Sequence, residues 1–334
     1  MNSPQREIAV TLGLWQDRPA AEAIITARTA AELGFAELWI GEMATYDVFA
    51  LATAIGSQAA NLRLVLGPLA ANVRDPMMIA MGAASVASLT GRPVDIALGT
   101  SSPLVVSEWH GRQRTRPLQA VIDSVGALRA LLNGEKADGT GKVMSSRGYR
   151  LRLQPPASSV SIAAFGSGAV AAAAAHADRM VVNLVTASSA QQLAAQCEAV
   201  AAASPRPRPR VVAWVPVGIG DPEAIYRQVR TMLVAYIGAP GYADMFISAG
   251  FPDVVAFART RPHPRELYAQ IPDELIDQVA AIGDESAVSS RLKEYRKVVD
   301  EVAVLPCSTD ADPAGVATLT AIAGMFEPAE CASL

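Results

Sequence analysis

Short apolar, β-branched runs alternate with longer amphipathic segments along almost the whole chain. Runs of strand length fall at residues 8–14, 37–40, 62–66, 94–98, 160–165, 180–184, 211–217 and 301–305. Segments with helical spacing of their apolar positions lie between them, at 19–33, 48–60, 76–89, 116–132, 169–176, 190–203, 222–237 and 285–298, with a last one at 313–323. Pro19, Pro76, Pro222 and Pro313 stand where helices should begin, Asp75, Asp221 and Asp312 precede three of them as N-caps, and Gly34 is placed to end the first. Eight strands, each followed by a helix, predict an α/β fold of the (β/α)8 barrel type, with every strand ending on one rim where ligands bind.

Two stretches depart from a minimal barrel. Residues 134–157 are rich in Gly and Ser and predict a hairpin inserted before the fifth strand. Residues 238–283 are too long for a connector. They read either as a lid or pocket wall, or as extra helices packed on the barrel or against another subunit. The expectation is one domain over residues 1–334 carrying both insertions.

Composition narrows the class. The chain of 334 residues is 51% hydrophobic and 18% charged, enough apolar surface for a large core, and its net charge is 28 − 32 = −4. No basic stripe points to nucleic acid. The tract Arg206-Pro207-Arg208-Pro209-Arg210 reads as a solvated, stiff connector. No run is long enough to span a membrane and the start lacks a signal-peptide pattern, so a cytoplasmic location is expected. Cys197, Cys307 and Cys331 have neither the number nor the spacing of a disulfide framework or zinc site.

Several rim positions could carry chemistry. Ala164-Phe165-Gly166-Ser167-Gly168 follows a strand and opens a helix, so its backbone N–H groups could cradle a phosphate; a plain tight turn is the other reading. The match to a dinucleotide fingerprint is incomplete, because no acid stands between Met180 and Cys197 to hold a ribose. Gly67-Pro68 should end regular pairing in the third strand. Thr100, Ser101 and Ser102 offer hydroxyls after the fourth strand, or simply cap a turn. Glu42 is a general acid/base or a salt-bridged rim carboxylate, and His110, one of three histidines, is a proton-exchanging or a structural group. Metal-binding spacings and a serine-hydrolase elbow are absent.

The run R-L-V-L-G-P-L-A-A-N-V-R-D-P, then A-S-L-T-G-R-P-V-D-I-A-L-G-T-S-S-P, then E-W-H-G resembles the luciferase-like flavin and deazaflavin oxidoreductases, nearest to the coenzyme F420-dependent branch. That resemblance runs over nearly the whole chain. It implies hydride exchange between the deazaflavin C5 and a small organic substrate, with the ring propped on a cis-peptide bulge at Leu69-Ala70, the phosphate near Gly166–Gly168 and Asn183, and a homodimer. Residues 14–15, 108–110 and 242–251 would wall the substrate, and Trp15, Trp39 and Trp109 would lie near the rim. An FMN-dependent monooxygenase on the same barrel is the alternative, and a non-catalytic flavin-binding relative is a second. F420 carries an anionic oligoglutamyl tail, which Arg74, Arg112, Arg114 and Arg116 could meet; the same arginines read equally as solvated surface charges. The dehydrogenase branch has a His where Met43 stands, and some members have an acid where Ser102 stands.

Overall fold

The computed structural model describes residues 7–13, 18–42 and 45–326. Leu14, Trp15, Met43 and Cys331 lie outside the described residues. Eight parallel strands, β1 (Glu7–Leu12), β2 (Glu37–Ile40), β3 (Arg63–Ala70), β4 (Val94–Gly99), β5 (Val160–Ala163), β6 (Arg179–Asn183), β7 (Arg210–Ile219) and β8 (Glu301–Pro306), pair in chain order. Pairing of β8 with β1 closes the ring into the expected (β/α)8 barrel. Around it lie α1 (Glu22–Glu32), α2 (Val48–Gln58), α3 (Pro76–Thr90), α4 (Pro117–Leu132), α5 (Ser167–His176), α6 (Ala187–Ala201) and α7 (Pro222–Val234).

Side chains alternate across each strand, so the barrel has two separate cores. Val10, Leu38, Leu64, Ile96, Val182 and Val304 point outward into the helices. Ala9, Trp39, Val65, Ala97, Val181, Val212, Trp214 and Ala303 fill the interior. Trp39 and Trp214 meet edge to face at 5.6 Å. Trp39 is therefore not a rim residue: it is fully buried beneath the mouth, with the Arg179 guanidinium 4.8 Å from its ring.

Below the tryptophans the interior turns ionic. Arg179 reaches Glu37 (2.8 Å), Asp95 (3.1 Å) and Glu301 (3.3 Å), while Arg63 and Arg210 pair with Asp95 and Glu301 from outside. The arginine-proline tract is part of this end of the barrel. Arg206 pairs with Asp178 at 3.0 Å, Arg208 with Asp300 at 2.7 Å and Arg210 with Glu301 at 3.0 Å, so it is a row of ion pairs and not a freely solvated connector.

Local signals set most helix ends. Asp75 accepts from the Met78 N–H at 2.9 Å and Asp221 from the Glu223 N–H at 3.1 Å, as N-caps do. Gly34 takes φ 79° after α1. That helix begins at Glu22, because Pro19 and Ala20 form a turn ahead of it. The expected hairpin is present: Asp138–Thr140 pairs antiparallel with Ser145–Arg147, and Asp123 of α4 accepts from the Val143 and Met144 N–H groups.

The long insertion is four short helices, α8 (Tyr242–Ser248), α9 (Pro252–Arg259), α10 (Pro264–Gln270) and α11 (Asp273–Val279). His263 caps α10 reciprocally with Glu266. A short strand, Ala281–Gly283, then extends the sheet beside the upper end of β7, before α12 (Glu285–Val298) and α13 (Val316–Met325) complete the ring. Among the described residues no helix is long and apolar enough to cross a membrane.

Candidate functional site

The site is built at the carboxyl ends of the strands, beginning with β3. Its pairing with β4 slips between Leu66 and Leu69, so Gly67 and Pro68 together oppose Ala97. A glycine is required there: φ is 124°, and a Cβ would lie 2.2 Å from the Ala97 carbonyl oxygen. The cis bond in this bulge is Gly67-Pro68, which corrects the expectation of one at Leu69-Ala70. Leu69 is fully buried in the helix-facing core, while Ala70 pairs with Gly99. Leu69 thus offers the mouth only its backbone.

Gly99 closes β4 between two small side chains. A Cβ on it would lie 3.4 Å from Cβ of Pro68 and 3.5 Å from Cβ of Ala163. Pro68, Gly99 and Ala163 therefore form a low shelf across β3, β4 and β5. Beyond it Ser101 adopts φ 53°, and its carbonyl accepts from both Nε (3.1 Å) and Nη2 (2.9 Å) of Arg114. Ser102 Oγ accepts from the Val105 N–H at 3.3 Å, just ahead of a single π-helical turn, Leu104–Trp109. His110 ends that turn, its N–H donating to the Val105 carbonyl at 3.2 Å, and its side chain is exposed. Thr100 stays half-buried at the strand end.

The β5 loop is open. Gly166 (φ 75°) precedes α5 without a side-chain cap, and Gly166, Ser167 and Gly168 are exposed, leaving first-turn N–H groups facing solvent. Ala164, by contrast, is fully buried against the helices and its N–H is held by the Val181 carbonyl, so its side chain cannot line the site. The alternation of strand faces accounts for Leu69 and Ala164 alike. Asn183 ends β6 in the inward register of Val181, and its Oδ1 is buried without a partner.

Tyr242, from the insertion, closes this side of the mouth. Its ring stacks on Phe165 at 4.0 Å, with Tyr236 4.9 Å away, and its hydroxyl lies beside the Asn183 side chain. Burial raises its pKa well above that of a free phenol, keeping the hydroxyl protonated. Periodicity could not find this contact, since Tyr242 lies 77 residues from Phe165 (242 − 165).

Glu42 sits at the rim after β2, held in a fork. Arg74 Nε donates to its Oε2 at 2.7 Å, Arg74 Nη2 bonds to its Oε1 and to Asp47, and the Val48 N–H donates to it at 3.1 Å. These bonds join the β2 loop, the β3 loop and the start of α2. Arg74 is thereby removed from the set of arginines available to an anion. The carboxylates raise its pKa further, so it stays charged at any working pH.

Arg112 and Arg116, exposed between the β4 loop and α4, meet no carboxylate among the described residues, and Arg114 meets only the Ser101 carbonyl. Burial without a counter-charge pulls the Arg114 pKa down. This edge adjoins the open α5 terminus, where a Cβ on Gly168 would lie 3.4 Å from Leu118 at the start of α4.

Among curated protein sequences none matches the chain. Among solved structures it is similar to the coenzyme F420-dependent tetrahydromethanopterin reductase of Methanopyrus kandleri, with 16% identity, 96% of this chain and 98% of that one covered, and a TM-score of 0.81. An F420-dependent secondary alcohol dehydrogenase, solved with an F420-acetone adduct, is 13% identical over 96% and 98% with a TM-score of 0.79. The FMN-bound oxygenating constituent of a Pseudomonas putida 3,6-diketocamphane monooxygenase is 15% identical over 96% and 97%, with a TM-score of 0.68. At these identities the likeness is one of fold. The family model described as luciferase-like monooxygenase matches residues 6–301. By this match, the chain belongs to the luciferase-like monooxygenase family.

Proposed function

We propose that the protein is a coenzyme F420-dependent oxidoreductase acting on a small organic substrate. Its residues suit a flat tricycle with a phosphorylated side chain, the part common to FMN and F420. The Pro68, Gly99 and Ala163 shelf takes a ring, the uncapped α5 terminus at Gly166–Gly168 takes a phosphate, and the orphaned Asn183 Oδ1 takes a donor. When bound, the deazaflavin supplies the hydride exchange at C5.

The observation that carries F420 over FMN is the basic edge of Arg112, Arg114 and Arg116, which lacks acidic partners among the described residues and lies next to the phosphate cradle. An oligoglutamyl tail would supply the missing charge, whereas FMN ends at its phosphate. The two F420-dependent neighbours, with TM-scores near 0.8, support the same choice. In this reading the backbone of Leu69 and Ala70 and the hydroxyls of Thr100, Ser101 and Ser102 orient the ring. Phe165 and Tyr242 wall the substrate side, Glu42 holds the rim through Arg74, and His110 exchanges protons with solvent.

The test is a titration of the protein with F420 and, separately, with FMN, followed by tryptophan fluorescence. Trp39 and Trp214 are buried below the mouth, so among the described tryptophans Trp109 is the reporter at the rim. F420 should saturate at micromolar concentration or below, with FMN much weaker, and replacing Arg112, Arg114 and Arg116 by Ala should erase the preference. Tighter binding of FMN would instead favour the monooxygenase reading, and binding of neither would overturn the site assignment.

A further inference from the structure

We infer that Arg114 is a positioning residue of the ring site: its guanidinium fixes the Ser101-Ser102 peptide, and with it the β4 loop that carries the Thr100, Ser101 and Ser102 hydroxyls. The inference rests on the ring site proposed above, and not on which cofactor fills it.

Ser101 is the strained point of that loop. Its φ of 53° lies in the left-handed region, which a serine leaves unless its surroundings hold it there. Arg114 supplies the hold. Its Nε at 3.1 Å and Nη2 at 2.9 Å both donate to the Ser101 carbonyl, and no other group among the described residues does. The Ser101-Ser102 peptide is trans, so its N–H runs opposite to its C=O, and a carbonyl turned to Arg114 turns the Ser102 N–H away from it. That N–H meets no acceptor among the described residues. The loop therefore presents a backbone donor in a fixed direction, next to three hydroxyls.

The segment that carries Arg114 is itself tied down. The Arg112 N–H donates to the Val106 carbonyl at 2.9 Å, and the Arg116 carbonyl accepts from the Ala120 N–H of α4 at 3.0 Å. Between them Asn72 Nδ2, from the β3 loop, lies 3.5 Å from the Thr115 carbonyl. Gly111 (φ 62°) and Arg116 (φ 44°) turn the chain on either side. Residues 111–116 thus form a strap joined to the loops after both β3 and β4, the strands whose Pro68 and Gly99 belong to the shelf.

Surroundings separate Arg114 from its two neighbours on the basic edge. Arg112 and Arg116 are exposed, whereas Arg114 is half-buried. Desolvating a guanidinium is costly, and a carboxylate ordinarily offsets the cost. Here a carbonyl takes that place, and burial lowers the pKa accordingly. An arginine serving only an anionic tail would gain nothing from turning two of its donors onto a backbone carbonyl.

The experiment compares wild type, Arg114→Lys and Arg114→Ala in titrations with FMN and, separately, with F420, read by the cofactor's own fluorescence. FMN has no tail, and lysine keeps the charge while losing the fork, so an effect of charge and an effect of position part. Arg114→Lys should weaken both cofactors by a similar factor of roughly fivefold or more, and Arg114→Ala by roughly tenfold or more, as loss of charge-assisted hydrogen bonds does. The visible circular dichroism of the protein saturated with FMN should change in both variants. Without cofactor, amide hydrogen exchange at residues 100–106 should speed several-fold in both, with the barrel strands unaltered. Arg114→Lys within twofold of wild type for both cofactors, a loss confined to F420, or unaltered exchange in the β4 loop overturns the proposal. Faster exchange across the whole barrel also overturns it, as the mark of general destabilisation. Tighter wild-type binding of FMN than of F420 would count against the F420 reading alone, because the FMN titration carries this inference by itself.

Discussion

Replacing Arg179 by Met removes the cation at the centre of the barrel floor while keeping much of its volume. The guanidinium is 9% exposed and contacts Glu37, Asp95 and Glu301, whose side chains are 12%, 5% and 4% exposed. Asp95 keeps Arg63 and Glu301 keeps Arg210, but Glu37 loses its cation. Breaking such a buried pair from one side costs about 3–5 kcal/mol, because the remaining carboxylates are left desolvated. With an unfolding entropy of about 2.1 cal/mol/K per residue, 334 residues give roughly 0.7 kcal/mol/K, so the melting temperature should drop by about 4–7 °C at pH 7. The deficit should depend on pH. Burial already raises the Glu301 pKa above its ordinary value, against the pull of Arg179. An acid whose folded pKa exceeds its unfolded one contributes stability that is complete below the unfolded value and lost as pH rises through the folded value. Without Arg179 that folded value climbs further, so the deficit should be greatest at neutral pH and shrink towards pH 5. Thermal melts of both proteins at pH 5, 6 and 7 check this; a variant within 1 °C of wild type at pH 7, or a deficit that does not change with pH, would refute the reasoning.

Three further outcomes follow from the same structure. Gly67→Ala should give little soluble protein, or a melting temperature lowered by more than about 4 °C, since its Cβ would meet the Ala97 carbonyl at 2.2 Å and a φ of 124°; soluble yield and a melt read it. Tyr242→Ala removes the stack on Phe165, and limited proteolysis should then cut within residues 238–283 several-fold faster, while Tyr242→Phe, which keeps the stack, should fall much closer to wild type. Burial pushes the Cys307 thiol up to about 12 and raises that of Cys197, so an aromatic disulfide reagent should label neither until the protein unfolds; mass spectrometry of the labelled native protein would show otherwise if either site were open.

What was legible in the sequence is what each segment encodes by itself. Apolar runs broken by helix-length segments gave eight strands and their order, because a strand covered on both faces has to be apolar throughout. Asp75, Asp221 and Gly34 marked helix ends through bonds made within a few residues. The Gly166-Ser167-Gly168 turn was visible for the same reason: a strand, two glycines and a helix are consecutive. Closure of the barrel decided the rest. It set Arg74 on Glu42, 32 residues away, turning a possible tail-binding arginine into a clamp. It turned Trp39 inward onto Arg179, and Leu69 and Ala164 outward into the helix layer, because strand parity, and not nearness to the rim, determines which way a side chain points. It laid Tyr242 on Phe165 beside Asn183, and it gave each arginine of the 206–210 tract an acid from a distant part of the chain. Such contacts join segments whose separation in the chain carries no period, so they exist only once the sheet has closed.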